Sequence, residues 1–167
     1  MTILNKKVPT TIDNLPFLHI DRVHSRDANA SGGLKKSIRL CKNVKNDAIE
    51  ERRSINFPSF DIAATIYHAS MANLQIGSVY ELAVLAETQR FLDELYHNPE
   101  KTKSLLVPDG SRRIFDTDEK YNGMKALSLE MDDLAKEVAK EQGVVRGADG
   151  NPSLSDSRDT LVKSYVS

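Results

Sequence analysis

The chain of 167 residues has a single cysteine, Cys41. A lone cysteine forms neither an intramolecular disulfide nor a zinc knuckle, and it suits a reducing compartment. There is also no charge of one sign to spare: 23 Lys and Arg face 24 Asp and Glu, a formal net charge of −1. No whole-chain field therefore draws the protein to nucleic acid or to a membrane surface, and any basic site must be local. No apolar run approaches the roughly 18 residues a membrane span requires. The opening stretch MTILNKKVPTTIDNLPF has no apolar core of signal type, so a cytoplasmic protein is expected.

Several kinds of chemistry are missing as well. Neither GxxxxGK[ST] nor GxGxxG occurs. Gly32–Gly33 precedes a helical pattern and reads more readily as a linker than as an anion site. His19, His24, His68 and His97 are scattered, without HExxH or paired CxxC. Cys41 falls on an apolar face, the position of a small core residue. Asp116 and Asp118 have the spacing of a two-metal carboxylate pair. They lie just before a helix start, however, where Asp is expected as a cap. No catalytic residue and no metal ligand is assigned to this chain.

What is present is helical periodicity. Leu34, Ile38, Cys41, Val44 and Ala48 define an apolar face over about 33–49. A second helix is expected over about 60–74, after Pro58 and with Ser59 as cap. It is nearly free of charge beyond Asp61, which marks it as the buried, central one. A third runs over about 79–97, opened by the capping pair Ser78 and Glu81 and stopped at Asn98–Pro99. A short helix to about 106 and the turn LLVPDGSRRIFD follow. The fourth long helix, about 118–142, carries Met124, Leu127, Met131, Leu134 and Val138 and ends at Gly143. The expected fold is therefore all-α, a compact bundle of about four to five helices. Residues 1–33 read as an extended N-terminal strap, with FLHI at 17–20 a short strand or a packed strap. Residues 34–143 form the helical domain. Residues 144–167 read as a mobile tail with at most one last turn near 158–165.

Two local features can carry function. Lys35, Arg39 and Lys42 lie within about 60° of one another on the polar face of the first helix. Arg offers a planar fork and Lys a point charge, a set that suits polyphosphate. Taken alone, the stripe reads more readily as a solvated helix face. Ser59–Phe60 puts a hydroxyl and an aromatic ring at a helix start, where they could meet a base. Taken alone, the pair reads far more readily as a cap and a core ring.

In succession these segments become recognisable. LKKSIRLCKNVKND at 34–47, then INFPSFDIAATIYHA at 55–69, resembles nucleotidyltransferases of the oligoadenylate synthetase and cyclic GMP-AMP synthase type. LDELYHNPEKTKSLLVPDGSRRIF at 92–115 is similar to the closing segment of their helical half. The resemblance covers roughly 14–142. It implies that Arg39 and Lys42 reach nucleotide phosphates and that Ser59 and Phe60 contact the base, with Lys35 on the same stripe.

The departure from that family is equally specific. Its catalytic half carries a Gly-Ser motif and three metal-binding carboxylates on a sheet, where two metal ions would act. Here Gly110–Ser111 comes after the helices, and Asp21 precedes the basic helix by too few residues to match the third carboxylate. The resemblance thus implies the wall of a nucleotide cleft, inactive alone and at most nucleotide-binding, with no cofactor of its own. Mg²⁺ would enter with a nucleotide triphosphate once a catalytic half is joined. The expected partners are that triphosphate and the catalytic half or another protein. The alternative is a helical interaction or self-association module that has lost nucleotide chemistry. Nucleic acid is disfavoured, because so few cations without interleaved aromatics leave a small footprint.

Overall fold

The computed structural model describes residues 15–75, 82–141 and 153–163. Within them the chain is all-α, with eight helices: α1 (Leu15–Asn29), α2 (Gly33–Glu50), α3 (Ser59–Ile66), α4 (Met71–Gln75), α5 (Leu82–Tyr96), α6 (Pro99–Ser104), α7 (Asp118–Glu141) and α8 (Leu154–Lys163). Among the described residues, no helix is long and apolar enough to cross a membrane.

α2 buries Leu34, Ile38, Cys41, Val44 and Ala48, the apolar face its periodicity predicts. Ser37 joins them and shares a hydrogen bond with Thr88 of α5 at 2.5 Å. α5 and α7 pack side by side, and α8 lies against both. Asn98 caps α6, its side chain accepting from Lys101 N at 3.4 Å. The Ser78–Glu81 capping pair and the end signal at Gly143 lie outside the described residues.

Four expectations are corrected. Residues 15–29 form a helix where a strap or strand was expected. His19, Val23, Asp27 and Ala30 are buried at helical spacing, but two of the four are polar, so the face does not read as apolar. Asp27 is tolerated there because its Oδ1 accepts from Lys35 N at 3.0 Å, joining α1 to the first turn of α2. The expected helix over 60–74 breaks in two. After Ile66 the backbone tightens to i−3 bonds (His68 N to Thr65 O, Ala69 N to Ile66 O). His68 bonds to Leu106 O at 2.6 Å, and the buried Glu87 accepts from Ser70 N at 3.3 Å, so long-range partners hold the break open.

The third correction concerns α7, where Ala135 and Ala139 are fully buried and Leu134 and Val138 only partly. The buried face of α7 thus runs through small residues in its last turns, and the fourth correction is a helix that packs against α7. In place of a tail, residues 154–163 form α8, with Ser157 and Leu161 fully buried. Its Arg158 donates to Gln89 Oε1 at 2.5 Å and to Asp93 Oδ2 at 3.0 Å. Gln89 in turn donates to Asp132 Oδ1 at 2.7 Å. A polar seam of this kind carries little hydrophobic signal in the sequence.

Gly123, which casts doubt on the first turn of α7 in the sequence, is a point of close approach. A Cβ there would stand 2.3 Å from Asn56 O. We expect Gly123→Ala to lower the unfolding free energy by about 1–3 kcal/mol in urea titrations, as overpacking against backbone does. The polar seam yields a second expectation. Burial holds the Asp132 carboxyl above its ordinary range, against the Gln89 hydrogen bond. A raised carboxylate penalises the folded state wherever it is ionised, and the penalty is lost as pH falls. Asp132→Asn should therefore melt above the parent at neutral pH. The gap should close by about pH 3, below the ordinary aspartate value; a gap that persists there contradicts the assignment.

Candidate functional site

The first turn of α3 and the facing sides of α1 and α2 enclose an open cleft of about 340 Å³. Val23, Ile38 and Ala63 form its apolar floor. Lys35, Arg39 and Lys42 line one wall, Ser59 and Phe60 close one end, and His19, Ile20 and His24 come from α1. All five residues singled out in the sequence thus converge on one cavity. Two helices bring them together: Arg39 and Lys42 share the polar side of α2, and the irregular link 53–58 leads into the start of α3, which packs on α2.

The three cations are not equivalent. Lys35 Nζ donates to His24 Nδ1 at 2.6 Å and stands 3.9 Å from Asp27 Oδ2, so it is tied to α1. Among the described residues, neither Arg39 nor Lys42 has a carboxylate partner. Two unpaired cations beside an apolar floor raise the local positive potential and favour an anion carrying several charges.

The aromatic end is built differently. Phe60 has the His19 ring 4.2 Å away between centroids, at an interplanar angle of 30°. The Arg112 guanidinium stands 5.5 Å from the Phe60 ring centre. The expected serine cap of α3 is corrected: Pro58 occupies the N-cap position, and no side chain caps the helix. Ser59 is exposed with its hydroxyl unused among the described residues, which leaves a donor and acceptor at the cleft mouth.

Beneath Phe60 lies an ion network that the sequence did not reveal. Asp61, 2% exposed, receives Arg112 Nη2 at 2.8 Å and stands 3.3 Å from Lys120 Nζ. Asp116 completes it, 3.0 Å from Lys120 and 3.7 Å from Arg112, and the Lys120 hydrogen bond holds its carboxyl below the ordinary range. Asp116 is thus an ion-pair partner where a helix cap was expected. Thr117 does the capping, its hydroxyl accepting from Lys120 N at 3.2 Å. Asp118 begins α7 and stands 3.4 Å from Lys103 Nζ. Cys41 is wholly buried and its thiol is pushed up to about 12 by that burial, which makes it inert.

Sequence reasoning left His19 out of the site. Its signal was the 19–23–27 spacing, hidden because histidine and aspartate flank the single valine. Burial holds the His19 imidazole below its ordinary value, so the ring is neutral near pH 7.

Fold and site together define an all-α domain that brings to one open cleft an aromatic ring and two cations that lack carboxylate partners among the described residues. Residues 21–136 match the cGAS/DncV-like nucleotidyltransferase C-terminal helical domain, and the chain belongs to that family. It is 37% identical over 166 residues to the cyclic dinucleotide synthase CdnE of Yersinia aleksiciae, covering 99% of this chain and 43% of that protein. A c-di-GMP synthase of Capnocytophaga granulosa is 36% identical over 102 residues, 60% of this chain and 28% of that protein. The solved structure of the STING-associated CdnE c-di-GMP synthase from Capnocytophaga granulosa superposes with a TM-score of 0.62 at 32% identity, covering 78% of this chain and 39% of that one. The chain therefore spans 43% of the length of the Yersinia relative.

Asp61→Asn keeps the side-chain shape but leaves Arg112 and Lys120 sharing Asp116 alone. We expect it to lower the unfolding free energy by about 1–3 kcal/mol, the cost of a buried polar group losing its partners. Asp118→Asn, at a side chain 88% exposed, should leave the urea midpoint unchanged. Equal midpoints for the two variants would contradict the network.

Proposed function

We propose that this domain forms one wall of a nucleotide cleft, with Arg39 and Lys42 on the polyphosphate and Ser59 and Phe60 on the base. The observation that carries the reading is a pair of cations without carboxylate partners among the described residues, lining the same apolar cleft as an aromatic ring. Lys35 contributes less directly, since His24 and Asp27 already hold it. The ligand this chemistry suits is a nucleoside triphosphate. The names of the relatives, a cyclic dinucleotide synthase and c-di-GMP synthases, support a place in cyclic dinucleotide synthesis.

The chemistry itself lies elsewhere in this reading. Among the described residues, no three His, Cys, Asp or Glu side chains converge to hold a metal ion. Mg²⁺ accordingly comes with the nucleotide, and the carboxylates that bind it belong to a catalytic half of the kind the family carries. The domain alone binds without turning over. The lone cysteine supports a reducing, cytoplasmic setting.

Isothermal titration of the chain with ATP and Mg²⁺ tests the binding role. Combining Arg39→Ala with Lys42→Ala should weaken affinity by roughly tenfold or more, as loss of charge-assisted contacts does. Affinity unchanged in the double variant would sink the phosphate role. A second reading, docking of a partner protein or a second copy, draws on Ile20, 51% exposed at the cleft, and Leu18, 39% exposed on the same helix. Light scattering that shows a monomer at all concentrations counts against self-association.

A further inference from the structure

We propose that His19 is a positioning residue for Phe60, and that only its neutral imidazole holds the ring in place. The proposal rests on the nucleotide-cleft reading and adds to it a pH dependence confined to the base. His19 is 7% exposed and lies ring against ring with Phe60, so it limits the tilt that Phe60 can adopt. Its Nδ1 is buried without a hydrogen-bond partner among the described residues. A neutral imidazole can leave that nitrogen as a bare acceptor. A protonated one carries N–H on both nitrogens, and among the described residues no acceptor meets the buried one.

The surrounding charges do not rescue the cation. Lys42 faces His19 from α2 and Asp61 from α3, while Asp109 and Arg112 face it from the 105–116 turn. Arg22, on the same helix, interacts with Asp109. Two carboxylates are matched by two cations, so burial decides, and it disfavours the charged ring. On acidification the charged imidazole must leave Phe60 for solvent, and Phe60 loses the surface that orients it. The proposal confines this change to the aromatic end of the cleft.

The test compares ATP with inorganic tripolyphosphate on the full chain, by titration calorimetry at about pH 7.5 and about pH 5.5. Both ligands protonate a terminal phosphate over a similar range, so their affinity ratio isolates the base. The ratio should fall by at least about fivefold on acidification, the lower end of what one base–aromatic stack contributes. His19→Phe, which keeps a flat ring and cannot titrate, should retain the ratio at both pH values. His19→Ala should show the low ratio already at the higher pH, with circular dichroism reporting its fold. A ratio independent of pH in the parent, or a pH dependence that survives in His19→Phe, overturns the proposal. Tripolyphosphate that binds equally well after Arg39→Ala with Lys42→Ala defeats the cleft reading instead. The positioning claim is then decided without ligand. NMR resonances of the Phe60 ring should shift along the His19 titration, and resonances that stay fixed overturn it.

Discussion

The carboxylate of Asp61 is buried directly after Phe60 in the chain, and the aromatic end of the cleft depends on it. An ionised carboxylate that is 2% exposed is stable only with close cationic partners. Arg112, from the turn before α7, and Lys120, from the first turn of α7, supply them. The requirement ties three separate pieces of chain together: the start of α3, the 105–116 turn and α7. It also brings the Arg112 guanidinium to the Phe60 ring, so one ionic constraint and one aromatic ring share a residue. Gly123 allows the arrangement by letting α7 approach the backbone at Asn56, three residues before α3 begins.

α2 supplies the opposite wall by dividing its two faces. Its apolar face is fixed by packing in the core, and this determines where its polar face points. The burial of Ile38 and Cys41 therefore places Arg39 and Lys42, and neither has an ion pair among the described residues. That leaves their charge available to a ligand. Lys35, one turn earlier, lies where α1 turns back onto α2, and α1 engages it through His24 and Asp27. Position along a single helix thus separates a cation with a structural contact from two that have no carboxylate partner among the described residues.

What could be read in the sequence follows the same physics. α2, α5 and α7 were legible because their buried positions are mostly aliphatic and recur at helical spacing. Arg39, Lys42, Ser59 and Phe60 were legible as a set through the ordered succession of their segments, and the fold brings them to one cavity. α1 and α8 were not, because the positions that bury them include His19, Asp27 and Ser157, and Arg158 holds α8 through hydrogen bonds. The break at 67–70 was invisible for a related reason. The local sequence is apolar and continuous, and the groups that end the helix, Leu106 O and Glu87, lie far along the chain. The ion network around Asp61 is likewise a matter of long-range pairing that no periodicity reports.

The central claim is that the cleft between α1, α2 and α3 receives a nucleotide. Backbone amide NMR of the chain titrated with ATP and Mg²⁺ tests it most directly. The account predicts perturbations concentrated at residues 19–24, 35–42 and 59–63. Perturbations centred instead on the cleft between α4, α5 and α8, around Arg90 and Arg158, would contradict it, as would a spectrum unchanged at millimolar ligand.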